Sequence, residues 1–333
     1  MLRGLDTIED DMTIPDELKQ PLLRSFHIHT VTPGWTFTGS GPNEKDRQLL
    51  VEFDTVVEEV NLLTPAYDFS PLQYDFLINN NRYKDVIIDI CQKMETGMAD
   101  YTHKAAKTGS MYLDTVEEYD LYCHYVAGLV GEGLSRLFSQ SGKEEPWLAS
   151  QLELSNSMGL LLQKTNIIRD YREDCDDKRY FWPREIWGKE EYGFQEMKDM
   201  YATDSETTKK ATWVQSEMIL NALGHSTDAL DYLRLLKNQS VFNFCAIPAV
   251  MAIATLELCF MNKGMFQRNI KIRKAEAAAV RIYLIFFAFE ILPWDSWSCA
   301  QQIQEKLALS SGIMLGASMP RPFPQIPISS GYQ

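Results

Sequence analysis

From Tyr83 to about Val280 apolar residues recur at helical spacing, and glycine and proline fall near the ends of those runs. Val86, Ile87, Ile90, Met94 and Met98 form one stripe, and Met158, Leu161, Leu162, Thr165 and Ile168 form another. Each stripe fits one face of an α-helix. No strand-like alternation runs longer than a few residues, so the pattern predicts an all-α fold with one domain and a tail. Three stretches break the rhythm. Residues 30–43 are rich in Gly, Pro, Thr and Ser, which is loop chemistry. Residues 64–82 hold two prolines and a triple Asn, and the end of the chain, ASMPRPFPQIPISSGYQ, reads as a disordered tail. Two apolar stretches invite a membrane reading. Residues 245–261 contain Pro248 and Glu257, and 282–292 is about half the roughly 20 residues a spanning helix needs. Both are expected to be buried helices, leaving the chain without an anchor.

Composition narrows the function classes. The 333 residues are 45% hydrophobic and 23% charged, the profile of a globular protein. A net charge of −14 argues against general binding to nucleic acid, which needs a basic face, so an anionic ligand has to be held locally. Cysteines at 91, 123, 175, 245, 259 and 299 form no C-x-x-C pair and read as reduced thiols in a cytosolic setting. The start, MLRGLDTIEDDM, is too acidic for a signal or transit peptide.

The candidate chemistry lies in a repeated spacing, D-x-x-E-D, at Asp6, Glu9, Asp10 and again at Asp170, Glu173, Asp174. On a helix these positions share a face, so each motif offers three mutually repelling carboxylates to one region of space. A hard cation relieves that repulsion, and carboxylate oxygens shared with substrate phosphates suit Mg²⁺. One such motif reads equally well as a solvated acidic face; two are harder to dismiss. The second also follows Gln163-Lys-Thr-Asn166-Ile-Ile-Arg169, which carries amide and guanidinium donors into the acidic cluster. Di-iron bundles use Glu-x-x-His, which does not occur; Asp100-x-x-His103 is the nearest approach.

The run from Tyr122 to Arg136 combines ionisable tips with Gly128, Gly131 and Gly133. Close helix packing is the preferred explanation of Gly128 and Gly131, and room for a long apolar substrate is the functional alternative. The order G-x-x-G-x-G without a preceding strand is no dinucleotide fingerprint. His124 is expected to be half-buried and hydrogen-bonded, and the Asn238-Gln-Ser240 sequon is treated as chance. Phe242 and Phe244 read as core unless a substrate ionises beside them. Lys271-Ile-Arg273-Lys274 is a basic run of the kind that is usually a solvated face, but in an acidic protein its clustering mildly favours phosphate contact.

Taken together, 3–13, 44–48, 122–136, 156–170, 179–183 (RYFWP), 238–248 (NQSVFNFCAIP) and 271–274 (KIRK) resemble the squalene synthase family, the farnesyl-diphosphate farnesyltransferases. The resemblance covers about 2–279, interrupted once. Phytoene synthases are the nearest relatives, but YCHYVAGLVG and NQSVFNFCAIP look like the squalene branch. It implies a single-domain, all-helical isoprenoid synthase fold with a central substrate channel. It further implies condensation of two farnesyl diphosphates to presqualene diphosphate and reduction of that intermediate to squalene by NADPH. Mg²⁺ would be held by Asp6, Glu9, Asp10, Asp170, Glu173 and Asp174, and diphosphate by Arg3, Lys45, Arg169, Arg179, Lys271 and Arg273. Arg169 is expected to stabilise the departing charge and Tyr122 to handle the proton lost on cyclopropane closure, although a phenol is a weak base on its own. Gly131, Leu134, Gln163, Asn166, Phe242 and Phe244 are expected to line the substrate and cation pocket. The family acts as a monomer at the cytosolic face of the endoplasmic reticulum; this chain, without an anchor, would be cytosolic.

The chain also departs from the family pattern. It starts about one turn ahead of Asp6 where the family has further helices, 68–82 has no counterpart, and 281–333 replaces the expected helices and anchor with an unrelated run. The catalytic domain is therefore placed at 1–280 and a poorly ordered tail at 281–333. Two alternatives follow: an inactive protein that keeps Mg²⁺ and diphosphate binding, and a phytoene synthase-type condensing enzyme without the NADPH step.

Overall fold

The computed structural model describes residues 1–62 and 74–273, the side chains of 74–82 excepted. Fourteen α-helices follow one another among the described residues. The first five are α1 (Leu2–Asp10), α2 (Asp16–Arg24), α3 (Phe26–His29), α4 (Arg47–Val51) and α5 (Phe53–Leu62). Next come α6 (Tyr74–Thr108), α7 (Val116–Cys123), α8 (Leu129–Gln140), α9 (Leu152–Arg169) and α10 (Tyr171–Asp176). The last four are α11 (Arg184–Trp187), α12 (Ser205–Leu223), α13 (Ser226–Leu235) and α14 (Gln239–Cys259). The sole sheet among the described residues pairs β1 (Met111–Tyr112) with β2 (Arg179–Tyr180) in parallel. The all-α expectation holds.

Helix α9 is the central rod, packing against α8, α12, α13 and α14. Small residues make that possible. A Cβ on Gly159 would stand 2.5 Å from the Ala127 carbonyl oxygen, and one on Gly131 would meet the Ser155 carbonyl. These glycines therefore let α8 and the preceding turn lie directly on α9, which supports the packing explanation. Both expected stripes are inward: Val86, Ile90, Met94 and Met98 on α6 are buried, as are Met158, Leu161, Thr165 and Ile168 on α9. Two apolar clusters result, one around α9 and α12–α14, the other around α1–α6. Tyr125 and Val126 pack against both. They lie in a π-helical turn, His124–Gly128, that joins α7 to α8.

One charge is buried within the larger cluster. The Lys164 ammonium donates to Asn221 Oδ1 at 2.6 Å and to His225 Nε2 at 2.7 Å, and pairs with Asp120 at 2.6 Å. An ammonium only donates, so His225 must be neutral with its proton on Nδ1. Burial, then Lys164, lowers the His225 pKa to about 4. This network ties α7, α9 and α12 to the start of α13.

Three boundaries differ from expectation or extend it. Helix α6 begins at Tyr74, so the triple Asn at 79–81 lies inside a helix rather than in the expected irregular stretch. Asn costs only about 0.7 kcal/mol per residue relative to Ala, too little to stop a long helix from propagating. Loop 30–43 is irregular as expected and is pinned by Asp11, which accepts from Gly41 N at 2.8 Å and Thr13 N at 2.9 Å. The stretch 245–261 is largely α14, with Val241, Phe242, Cys245, Ala246, Ala249 and Ala252 on its buried face. It is the one helix among the described residues long and apolar enough to cross a membrane, and 44% of its most apolar window is buried in the fold.

The smaller expectations resolve similarly. Cys91, Cys123, Cys175, Cys245 and Cys259 are buried free thiols. Asn238 caps α14, its Oδ1 accepting from Ser240 N at 3.0 Å, so the sequon match belongs to a helix start. His124 is half-buried with Nδ1 2.7 Å from Asn156 Oδ1. Residues 68–73 of the insert, the apolar run 282–292, Cys299 and the tail 281–333 lie outside the described residues. Gly159→Ala is expected to destabilise the chain by about 2–3 kcal/mol through backbone overpacking. A thermal melt checks it: a Tm within a degree of the parent would show that α9 can move aside.

Candidate active site

The site is assembled by two helix ends and one extended strand. Helix α1 carries Asp6, Glu9 and Asp10, and its position is set by Leu5 and Ile8, both fully buried, and by Gly4, where a Cβ would strike the Phe53 ring. The second motif sits at a joint. Asp170 stands between α9 and α10 with φ −92° and ψ 9°, while its N–H still bonds to the Asn166 carbonyl at 2.8 Å. The two motif helices are therefore not both straight, and Glu173 is exposed whereas Asp174 is buried. Tyr171 fixes α10 by packing its ring on Trp182 at 4.5 Å and edge-on to Phe266 at 5.3 Å.

The extended segment 179–182 then alternates. Tyr180 stacks on Tyr112 at 4.6 Å and Trp182 on Tyr171, while Arg179 and Phe181 face the acidic motifs. Lys178, in the left-handed region with φ 62°, turns the chain from α10 into this strand. The Arg179 guanidinium consequently lies between the motifs: Nη1 is 3.2 Å from Asp10 Oδ1, Nη2 2.9 Å from Asp174 Oδ1 and 3.6 Å from Asp177 Oδ2. Phe181 stacks on Tyr122 with ring centres 5.0 Å apart, and the Tyr122 hydroxyl points to Glu9 Oε1 at 3.4 Å.

Glu9, Asp10, Lys19, Tyr122, Arg179 and Phe181 line a cavity of about 230 Å³. Ordinary small-molecule pockets run to roughly 300–1,000 Å³. This one is smaller than that range.

Electrostatics mark the cluster as short of positive charge. Burial first, then the neighbouring Asp10, raises the Asp6 pKa to about 6 despite Arg3 and Arg179. Glu9 is pushed well above its ordinary range by burial, Asp10 and Asp6. Burial raises Asp174 to about 7 against the pull of Arg179. The Tyr122 phenol, buried among Glu9, Asp10 and Asp6, is held well above 10 and stays protonated. These are hard oxygen donors whose mutual repulsion the neighbouring arginines only partly offset, a donor set that fits Mg²⁺. Among the described residues no three His, Cys, Asp or Glu side chains already converge as a finished metal cage.

Of the expected residues, Asp6, Glu9, Asp10, Tyr122, Asp170, Asp174 and Arg179 share this electrostatic neighbourhood. Arg3 lies at its edge, pairing with Asp6 and with Asp46 through Nε at 2.9 Å. Arg169 clasps Asp170, Nε to Oδ1 2.8 Å. Lys45 is exposed in the turn beside Asp46, and Lys271 and Arg273 are exposed on a segment whose Ile272 lines a groove at the end of α14. Gln163 is half-buried and Asn166 exposed, on the α9 face that leads to Asp170.

The expected aromatic wall is split. Phe242 is 3% exposed within the core, whereas Phe244 is 58% exposed with its ring edge-on to Phe138. Two helical positions are about 200° apart, so one pocket cannot take both rings. Gly131 contacts α9, and Leu134 lines a separate apolar pocket of about 190 Å³ with Leu2, Ile87 and Val130. Neither borders the acidic cavity.

Sequence reasoning missed Lys19 and Phe181. Lys19 is buried, donates to the Glu9 carbonyl at 2.7 Å and so holds the last turn of α1. A lysine ten residues beyond the acidic motif carries no spacing signal; RYFWP did flag Phe181's neighbourhood without its role.

Comparison with known proteins gives the family. The family model described as squalene/phytoene synthase matches residues 1–276. The chain belongs to the squalene/phytoene synthase family. It is 60% identical over 288 residues to the squalene synthase of Ganoderma lucidum, covering 84% of this chain and 58% of that protein. It is 51% identical over 285 residues to that of Schizosaccharomyces pombe, covering 86% and 57%. Against Mycosarcoma maydis squalene synthase the figures are 53% over 292 residues, with 84% and 48% covered. The chain thus spans about half the length of the curated relatives it matches. A solved complex of TcSQS with a ligand superposes with a TM-score of 0.76 at 37% identity, covering 93% of this chain and 81% of that one.

The raised carboxylates carry a pH prediction. Asp6 and Asp174, ordinarily at 3.8, hold protons in the folded chain that the unfolded chain has released, so their contribution to stability is lost as pH rises from about 4 to about 7. Saturating Mg²⁺ should therefore raise the Tm more near pH 8 than near pH 5. Equal shifts in thermal melts at the two pH values would remove these carboxylates from the metal assignment.

Proposed function

We propose that this chain carries the head-to-head condensation of two farnesyl diphosphates to presqualene diphosphate and the NADPH-dependent reduction of that product to squalene. The observation that carries the reading is the pair of D-x-x-E-D motifs facing each other across Arg179, beside the buried Tyr122. Mg²⁺ would be held by Asp6, Glu9, Asp10, Asp170, Glu173 and Asp174, where it supplies charge neutralisation for departing diphosphate. The chain's own cations add directional donors. Arg179 and Arg169 each present a planar fork to phosphate oxygens, with Arg3 at the rim and Lys45, Lys271 and Arg273 as further diphosphate ligands.

Tyr122 acts as a relay rather than as a free base. Its phenol is protonated, so it takes the substrate's proton on oxygen only while giving its own to diphosphate. The Phe181 ring against Tyr122 fixes its aim and excludes water. For the cation formed later, Phe244 and Phe138 offer the accessible aromatic pair, with Gln163 and Asn166 on α9; Phe242, Gly131 and Leu134 then act through packing. Among the described residues no glycine-rich strand-to-helix turn forms a dinucleotide cradle, and NADPH enters this reading from the family alone. The same holds for action at the cytosolic face of the endoplasmic reticulum and for the monomeric state.

Product analysis tests the assignment. The 333-residue protein, given farnesyl diphosphate and Mg²⁺, should yield presqualene diphosphate, and squalene only when NADPH is added. A condensed C30 hydrocarbon formed equally well without NADPH would point to the phytoene-type reaction, and no product from a folded, pyrophosphate-binding sample to a binding protein. In an active sample Tyr122→Phe should slow formation of presqualene diphosphate by about 100-fold or more. An undiminished rate would take the tyrosine out of the proton path. Asp6→Asn and Asp170→Asn should each lose most turnover with folding intact, as judged by circular dichroism.

A further inference from the structure

One side chain bridges the two acidic motifs. Arg179 reaches one carboxylate of each motif, Asp10 on α1 and Asp174 on α10, with Nε also 3.3 Å from Asp174 Oδ1 and Nη2 near Asp177. It is mostly buried, and although burial alone would weaken its charge, Asp10 and Asp174 more than offset that and keep it cationic. The strand geometry leaves it little choice of direction, because Tyr180 and Phe181 on either side of the same backbone are each fixed by ring stacking. The guanidinium thus engages one oxygen of each of two carboxylates assigned above to the metal. The same fork is what a diphosphate would recognise, and a dianionic or trianionic ligand offers it a stronger partner than two carboxylates do.

We propose that Arg179 is an internal counter-ion that holds the two acidic motifs together in the free chain and blocks the divalent cation until diphosphate draws it off. This rests on the reading of the motifs as a metal–diphosphate site. The consequence is ordered assembly: metal binds poorly alone and well once diphosphate has reoriented the guanidinium, and by linkage the metal tightens diphosphate binding by the same factor. A positive charge that opposed the metal only through space would do so equally as arginine or lysine, whereas the two-carboxylate bridge is lost in lysine.

The test uses the full 333-residue chain, Mn²⁺ followed by its paramagnetic signal, and inorganic pyrophosphate. The parent protein should bind Mn²⁺ weakly alone and much more tightly with pyrophosphate. Arg179→Met should bind Mn²⁺ alone at least about tenfold more tightly than the parent, because two carboxylates are released from their cation. Its enhancement by pyrophosphate should shrink accordingly. Arg179→Lys, which keeps the charge and the fold but cannot span both carboxylates as a fork, should fall between the two. Circular dichroism of each variant establishes that it is folded, and the lysine variant alone suffices if the methionine variant is not. Equal Mn²⁺ affinities for parent and variants without pyrophosphate would overturn the counter-ion role while leaving the metal assignment standing. Absence of Mn²⁺ binding in every sample, pyrophosphate included, would overturn the metal reading and this inference with it.

Discussion

Carboxylates do not gather in a buried place unless a positive charge gathers them. Asp6, Glu9 and Asp10 come from the first helix and Asp170 and Asp174 from a joint more than 150 residues later, and burial with mutual repulsion raises the proton affinity of Asp6, Glu9 and Asp174. Apolar packing seats the two elements, and one guanidinium on a two-residue strand bridges their carboxylates. Its placement depends on much of the surrounding architecture. Tyr171 seats α10, Lys178 reverses the chain, and the alternation of 179–182 sends Tyr180 and Trp182 one way and Arg179 and Phe181 the other. A metal–diphosphate reading inherits this arrangement, since a ligand has to compete for oxygens that already have a partner.

The scaffold beneath the site achieves precision with small residues and one buried charge. Gly131 and Gly159 let α8 and α9 approach until backbone meets backbone, and such contacts leave no slack for the helix that ends at Asp170. Lys164, on the same α9, reaches three partners from other segments in place of apolar packing. A buried ion of this kind contributes less to net stability than to a unique arrangement, because it tolerates only the alignment in which all its partners are in reach. Both devices act on α9, whose last turn presents the second motif.

The helical period, the burial of the α6 and α9 stripes and the two acidic motifs were all legible in the sequence, because each is a local pattern that packing reinforces. Glycine packing at Gly131 was legible for the same reason. Other features depend on where the chain turns. The break at Asp170, which exposes Glu173 and buries Asp174, follows from tertiary seating of Tyr171, not from the spacing of the motif. The early start of α6 at Tyr74 shows the weakness of Asn as a stop signal. Lys19 and Lys164 are buried cations defined by partners far away in sequence, so no spacing marks them. Phe242 and Phe244 were grouped by the family resemblance, and helical geometry separates them.

The π-helical turn His124–Gly128 has a consequence for how the site is aimed. Such a turn holds one more residue than the α-helix it interrupts, and one residue is about 100° of rotation. Tyr122 precedes it and Gly131 follows it, so the turn sets the angle between the face that meets Glu9 and the face that meets α9. A single codon lost in this stretch would act less as a shortening than as a twist, turning the tyrosine away from its carboxylate while leaving the glycine seam intact.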